Sequence, residues 1–156
     1  MKFSEPLLLG KFIKRYKRFF ADVKVKNQVV TTHCPNSGSM MGLLEKDNNV
    51  WISKSKNPKR KLKYTLELIS VKKNFVGINT HLTNKIVLEA FEKNKINELN
   101  NCDLIKTEVF YDKETRFDFL INKNKKKFFI EVKNVTMVRK NNIAEFPDSP
   151  TNRGTK

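Results

Sequence analysis

The sequence predicts an α+β chain: a small β-barrel over residues 1–79, then an incomplete α/β unit over residues 80–156. Three observations carry that prediction. Up to Asn79 the apolar residues come in short runs, each closed by turn residues. From Thr80 the apolar period lengthens to that of a helix. From Arg116 to Asn134 two runs rich in Phe and Ile flank a Lys/Asn turn, which is a β-hairpin signal.

Taken in order, strands are expected over residues 12–25, 29–33, 49–53, 64–72 and 75–79. Lys26-Asn27, the Pro35-to-Gly42 loop, Asn57-Pro58 and Lys73-Asn74 punctuate them. Five short strands in this length fit a small closed barrel of the OB type, with an SH3-like barrel as the alternative. Between two of the strands, Lys54, Lys56, Lys59, Arg60, Lys61 and Lys63 cluster near Trp51 and Tyr64. Cations interleaved with aromatics suit single-stranded nucleic acid, where bases stack and phosphates pair. The plain alternative puts Trp51 and Tyr64 in the barrel core and leaves the lysines as a solvated loop. The small residues of His33-Cys34-Pro35-Asn36-Ser37-Gly38-Ser39 can offer backbone N–H groups to an anion. A His33/Cys34 catalytic dyad is not expected, because adjacent strand residues point to opposite faces.

Past Asn79, the apolar residues Leu82, Ile86 and Ala90, with Val87 and Phe91, recur at helical spacing, and Thr80 or Thr83 can cap the start. A strand is expected over residues 104–111, then the hairpin. A turn centred on Asn124-Lys125 sets Asp118 directly opposite Glu131, and opposed side chains come within about 5 Å. Glu131 and Lys133 share a face by alternation. Two such carboxylates repel unless a cation or proton lies between them. A hard divalent ion, Mg²⁺ or Mn²⁺, takes carboxylate, water and phosphate oxygens, and a neighbouring lysine can hold the attacking water. This pattern resembles the PD-(D/E)xK nuclease core. The plain alternative is a solvated hairpin face with a Glu–Lys pair. The last stretch, residues 146–156, reads as a loop leading into a helix. One helix on three strands leaves a sheet face uncovered, so a further C-terminal segment is expected.

Charge points to a polyanion partner. The net charge is +16. Residues 1–80 carry 17 basic and 5 acidic side chains, and residues 81–156 carry 15 and 11. The lysines are spread nearly evenly, as a biased composition would leave them; the acids are not. The first half is expected to face phosphates and the second to hold the carboxylates for metal chemistry. The longest apolar runs are too short to span a bilayer, and Glu5, Pro6 and the lysines that follow break any secretory signal. Cys34 and Cys102 have no metal-like spacing, so reduced thiols in a cytoplasm are expected.

The blocks Arg15-Tyr16-Lys17-Arg18-Phe19, His33-Cys34-Pro35-Asn36-Ser37-Gly38, Lys59-Arg60-Lys61, Asn79-Thr80, Arg116-Phe117-Asp118-Phe119, Ile130-Glu131-Val132-Lys133-Asn134 and Phe146-Pro147-Asp148 with Arg153-Gly154 run through the whole chain. Together they resemble the sugar fermentation stimulation protein (SfsA) family. The resemblance implies an N-terminal OB-like domain, a nuclease-like domain missing its C-terminal part, DNA binding, and a link to regulation of sugar catabolism. Asp118, Glu131 and Lys133 are then the expected catalytic residues. Asp118 and Glu131 would hold Mg²⁺ or Mn²⁺, with the Val132 carbonyl as a third ligand and Glu89 or Glu108 as a further carboxylate. Arg15, Lys17, Arg18, Lys59, Arg60, Lys61, Arg116 and Arg153 are the expected nucleic-acid contacts, with Lys123 to Lys127 as further candidates. Two other readings remain: a DNA-binding regulator with an inactive nuclease fold, and an RNA-associated basic protein.

Overall fold

Gly10 shows how tightly the first half closes. A Cβ there would lie 2.5 Å from Val23 Cγ1 and 2.9 Å from the Lys24 carbonyl, so only glycine lets the two strands lie this close. In the computed structural model, which describes residues 1–138 and 143–145, the chain divides into two compact units. Among the described residues, one comprises Lys2–Thr80 with 134–138 and 143–145; the other comprises Met1 and His81–Lys133.

In the first unit, β1 (Leu8–Tyr16), β2 (Phe20–Val25) and β3 (Gln28–His33) form an antiparallel meander. β4 (Asn49–Lys54) pairs with β1, and β5 (Tyr64–Val71) with β4. A parallel contact, Thr32 opposite Tyr64 and His33 opposite Thr65, joins β3 to β5 and closes the barrel in OB order. β6 (Asn74–Gly77) extends β5 as a hairpin. Alternate residues point inward, so Phe12, Val23, Val50, Ile52, Leu66 and Ile69 fill the interior. β10 (Met137–Val138) and β11 (Ala144–Glu145) form a short pair in this unit, and Asn134 Nδ2 donates to the Gly77 carbonyl.

One sequence expectation and one alternative are corrected here. Residues 12–25 are not one strand. The chain reverses through a three-residue loop, Lys17-Arg18-Phe19, between the paired Tyr16 and Phe20, with positive φ at Lys17 and Arg18 (48° and 61°). That turn has neither Gly nor Asn, so nothing in its residues announced it. Trp51 is not core. It alternates with the buried Val50 and Ile52, lies on the outer side of β4, and meets the exposed Phe75 edge-on at 4.9 Å. Tyr64 does pack against the core.

A 3₁₀ turn (Thr80–Leu82) begins at the last residue of the barrel unit's Lys2–Thr80 stretch and leads into α1 (Thr83–Glu92) of the second unit. Neither threonine caps the helix. Leu82 occupies the N-cap position without a side-chain bond, and the Thr80 hydroxyl donates to the Pro35 carbonyl at 2.6 Å. β7 (Leu104–Phe110), β8 (Arg116–Lys123) and β9 (Lys126–Ile130) form a three-stranded antiparallel sheet. The turn is centred on Asn124-Lys125, again with positive φ at both residues, and pairs Phe119 with Ile130. The expected helical stripe needs correcting as well. Ile86 is 51% exposed; the face on the sheet is Val87, Leu88 and Phe91, with Phe91 edge-on to Phe119 at 5.3 Å.

Candidate active site

The β8–β9 ladder ends at Phe119 and Ile130, one position short of Asp118 and Glu131. Asp118 therefore does not oppose Glu131 as a hydrogen-bonded pair. Its carboxylate takes over where the backbone pairing stops: Oδ2 accepts the Val132 N–H at 2.7 Å. Oδ1 accepts Nδ2 of Asn84, also at 2.7 Å. Asn84 arrives there because residues 84, 87, 88 and 91 share one helix face. The apolar stripe that docks the helix thus also delivers an amide to the carboxylate. The spacing that reveals Asn84 was in the sequence, but it is legible only once the stripe is placed on 87, 88 and 91 rather than 82, 86 and 90.

Glu131 and Lys133 share a face, as alternation requires, and their side chains pair at 2.7 Å while each remains about half exposed. Glu108 stands across from Asp118, between the pairs Thr107–Phe119 and Val109–Phe117. Its φ of 54° breaks the regular strand, and its carboxylate is bridged by Arg116 Nε at 3.1 Å. Glu108, Asp118 and Glu131 thus occupy successive positions in line across three neighbouring stretches of chain. Each carboxylate is met by its own partner: Arg116, Asn84 with the Val132 N–H, and Lys133. Among the described residues no group of three His, Cys, Asp or Glu is gathered closely enough to hold a metal ion between them.

Glu89 is used elsewhere. Hydrogen bonds from Lys93 and from the N-terminal ammonium of Met1 hold its carboxyl at about 2. Arg116, expected to contact phosphate, bridges Glu108 and lies over the Phe110 ring at 5.9 Å.

The basic residues expected on the barrel fall into two groups. Arg15 is committed to the fold: its guanidinium donates to the carbonyls of Arg18 (2.7 Å), Gly38 (2.8 Å) and Asn36 (2.6 Å). It clips the β1–β2 turn to the loop after β3. Lys17 and Arg18 are exposed on that turn. Lys59, Arg60 and Lys61 project from a loop ordered by Asn57, whose Oδ1 accepts the Lys59 N–H and whose carbonyl accepts that of Arg60. Arg153 lies outside the described residues, as does the stretch of residues 146–156 read as a loop into a helix.

A closed OB barrel followed by a helix-backed sheet with an acid on one strand and Glu-x-Lys just past the next defines a two-domain chain of barrel plus nuclease-like fold. The chain belongs to the sugar fermentation stimulation protein family. Residues 13–78 match the SfsA N-terminal OB domain, and residues 81–156 match the sugar fermentation stimulation protein RE domain. The sugar fermentation stimulation protein homolog of Pelagibacter ubique is 61% identical over the whole chain, and that of Maricaulis maris 45%; the chain spans 67% of each. The structure of Pyrococcus furiosus SfsA in complex with Ca²⁺ superposes with a TM-score of 0.81 at 28% identity, covering 99% of this chain and 64% of that one. The chain thus spans about two thirds of the length of the relatives it matches. No helix among the described residues is long and apolar enough to cross a membrane.

Proposed function

We propose that this chain binds DNA through its basic barrel, and that Asp118, Glu131 and Lys133 form a metal-dependent phosphodiester-hydrolysis site. The observation that carries the reading is the adjacency of a carboxylate held by two donors, Asp118, and an exposed Glu131–Lys133 pair beginning one residue past the paired strand. The donors present fit a hard cation: two carboxylates, the Val132 carbonyl and the Asn84 amide are all oxygen sources, and Mg²⁺ is commonly held by one or two carboxylates plus phosphate and water. The Pyrococcus furiosus relative was solved with Ca²⁺, an ion of the same oxygen preference. Asp118 and Glu131 would hold the Mg²⁺ or Mn²⁺. The bound ion would supply a lowered water pKa and charge neutralisation on the phosphate. Lys133, released from Glu131, orients the attacking water and offsets charge building on the phosphoryl oxygens. Asn84 keeps the Asp118 carboxylate in one rotamer. The exposed Lys59 and Lys61, with the half-buried Arg60 between them, contact phosphates without regard to sequence.

A specific observation favours a second reading, a DNA-binding regulator with an inactive nuclease fold. Both Asp118 oxygens already accept hydrogen bonds, and one Glu131 oxygen already meets Lys133. This arrangement is satisfied as it stands.

Calorimetric titration of Mg²⁺ or Mn²⁺ into the wild type and into Asp118→Ala separates the two. The nuclease reading expects binding that Asp118→Ala abolishes. It also expects Lys133→Ala to lower the cleavage rate while leaving DNA affinity nearly unchanged. DNA binding without metal binding or cleavage selects the regulator. Replacing Lys59, Arg60 and Lys61 together by Ala should weaken binding to all sequences alike and lower the salt slope by about 3.

A further inference from the structure

The turn between β1 and β2 is conformationally costly. It is a three-residue loop, Lys17-Arg18-Phe19, and positive φ is costly for any residue but glycine. Here two consecutive non-glycine residues, Lys17 and Arg18, adopt it. The turn is then fastened from three sides. Arg15 Nε donates to the Arg18 carbonyl, the Phe19 N–H to the Lys17 carbonyl at 2.7 Å, and the Cys34 N–H to the Phe19 carbonyl at 2.8 Å. Strain held in place by surrounding bonds is a mark of sites where the side chains are needed where they are.

These bonds fix a set of rings. Phe19 is 44% exposed and lies against His33 with centroids 6.4 Å apart and planes at 24°. Tyr16 stacks on Phe20 at 5.6 Å and 20°. Tyr16, Phe20 and His33 are cross-strand neighbours on β1, β2 and β3, so all four rings sit together at one end of the barrel wall. Cations border them: Lys17 and Arg18 are exposed on the turn, and Lys14 Nζ lies 5.5 Å over the Tyr16 ring. Asp22 is the nearby acid. It is occupied by the Tyr16 and Thr31 hydroxyls at 3.2 and 2.9 Å and faces Lys14 at 3.9 Å.

We propose that this ring cluster at the β1–β2 turn is a stacking platform for single-stranded DNA. Unpaired bases lie against Phe19 and the Tyr16–Phe20 stack, and Lys17, Arg18 and Lys14 take the flanking phosphates. Near-parallel rings bordered by cations match a strand whose bases are free to stack; a duplex keeps its base faces inside its own stack. The inference rests on the DNA-binding reading above and adds which form of DNA and which surface. It also differs from the surface expected around Trp51, on the outer side of β4.

The test is fluorescence anisotropy of the full chain with labelled oligo(dT), with a mixed-sequence duplex of equal length, and with oligo(rU). Phe19→Leu keeps an apolar side chain at an exposed position and removes the ring. It should lose about tenfold in oligo(dT) affinity, within the range for one base–aromatic stack. Its duplex affinity and salt slope should stay at the wild-type values. Phe19→Tyr should restore oligo(dT) binding. Replacing Lys17 and Arg18 by Ala should lower the oligo(dT) salt slope by about 1 to 2. Unchanged oligo(dT) affinity in Phe19→Leu, or equal losses for oligo(dT) and duplex, overturns the platform. Oligo(rU) binding tighter than oligo(dT) overturns DNA as its occupant. A wild type that binds none of the three at low salt overturns the DNA-binding reading itself, an outcome distinct from a failure of the platform alone.

Discussion

The barrel and the three-stranded sheet bury their apolar residues very differently. Around the barrel interior, Phe12, Ala21, Val23, Cys34, Met40, Leu43, Val50, Ile52, Leu66, Ile69 and Ile78 are all nearly or fully buried. In the other unit only Phe91, Phe119 and Ile121 reach that state among the described residues. The cause is topological. The parallel β3–β5 contact turns a sheet into its own second layer, so every inward residue meets another. Among the described residues, one helix covers the β7–β8–β9 sheet. Tyr111, Phe117 and Phe129 cluster with centroids 5.0 to 6.2 Å apart, and Phe110 and Tyr111 remain 66% and 65% exposed. Asp118, Glu131 and Lys133 therefore stand on the less consolidated part of the molecule. A site needs a rigid support to hold its geometry, and here that support is the contact between Phe91 and Phe119.

The sharpest way to break this contrast is Phe119→Ala. Removing a buried phenylalanine costs about 3–5 kcal/mol, and this unit has two other fully packed side chains to absorb the loss. The helix and sheet should unfold while the barrel persists. The two cysteines report on the two regions separately. Cys102, half-buried in the sheet unit, should become rapidly alkylated. Cys34 should stay protected, since it is fully buried and its thiol is pushed up by desolvation, so little thiolate forms. Parallel exposure of both thiols would show instead that the two units unfold as one.

How far this contrast was legible in the sequence depends on whether the relevant residues announce themselves. A small barrel and the hairpin register were readable because alternation and Asn/Lys turns are local signals, whereas the OB order, weighed against an SH3-like one, was settled by the β3–β5 contact. The Lys17-Arg18 turn was not readable, because its conformation is imposed by Arg15 and by closure of the barrel rather than by its own residues. Trp51 stood open between surface and core because size and apolarity suggest core, whereas strand parity beside Val50 and Ile52 decides the face. At the site, Asp118, Glu131 and Lys133 stood out from alternation and the turn. Asn84 did not, since finding it requires knowing which helix stripe docks. The end of the ladder at Ile130 was equally hidden, because it depends on a side chain, Asp118, replacing a backbone partner.

A smaller effect sharpens the barrel side of the comparison. Arg15→Ala removes three hydrogen bonds to carbonyls and should cost about 2–3 kcal/mol. In urea denaturation followed by Trp51 fluorescence, the midpoint should fall with an unchanged slope. Arg15→Lys should recover only part of the loss, because an ammonium cannot span three carbonyls as the planar guanidinium does. An undiminished midpoint with weakened DNA binding would instead make Arg15 a phosphate contact.

The smallest effect belongs to Glu89, at the surface of the sheet unit. It sits near the C-terminal end of α1, where the helix dipole disfavours an anion. Lys93, four residues on, and the N-terminal ammonium offset that by hydrogen-bonding the carboxylate and holding its pKa at about 2 instead of 4.5. A depressed folded value means the stabilisation is complete above the ordinary carboxylate value. It is lost as pH falls from there through about 2. Because the pair is solvent-exposed, salt screens it. Glu89→Gln should therefore lower the thermal midpoint of the helix and sheet slightly at neutral pH and low salt. The difference should close both at about 1 M salt and as the pH approaches 2. Circular dichroism melts across that grid check it. A gap that persists at low pH would mean that Glu89 acts through packing of its methylenes rather than through its charge. The sheet unit would then depend on a surface side chain for contacts that its sparse interior does not supply.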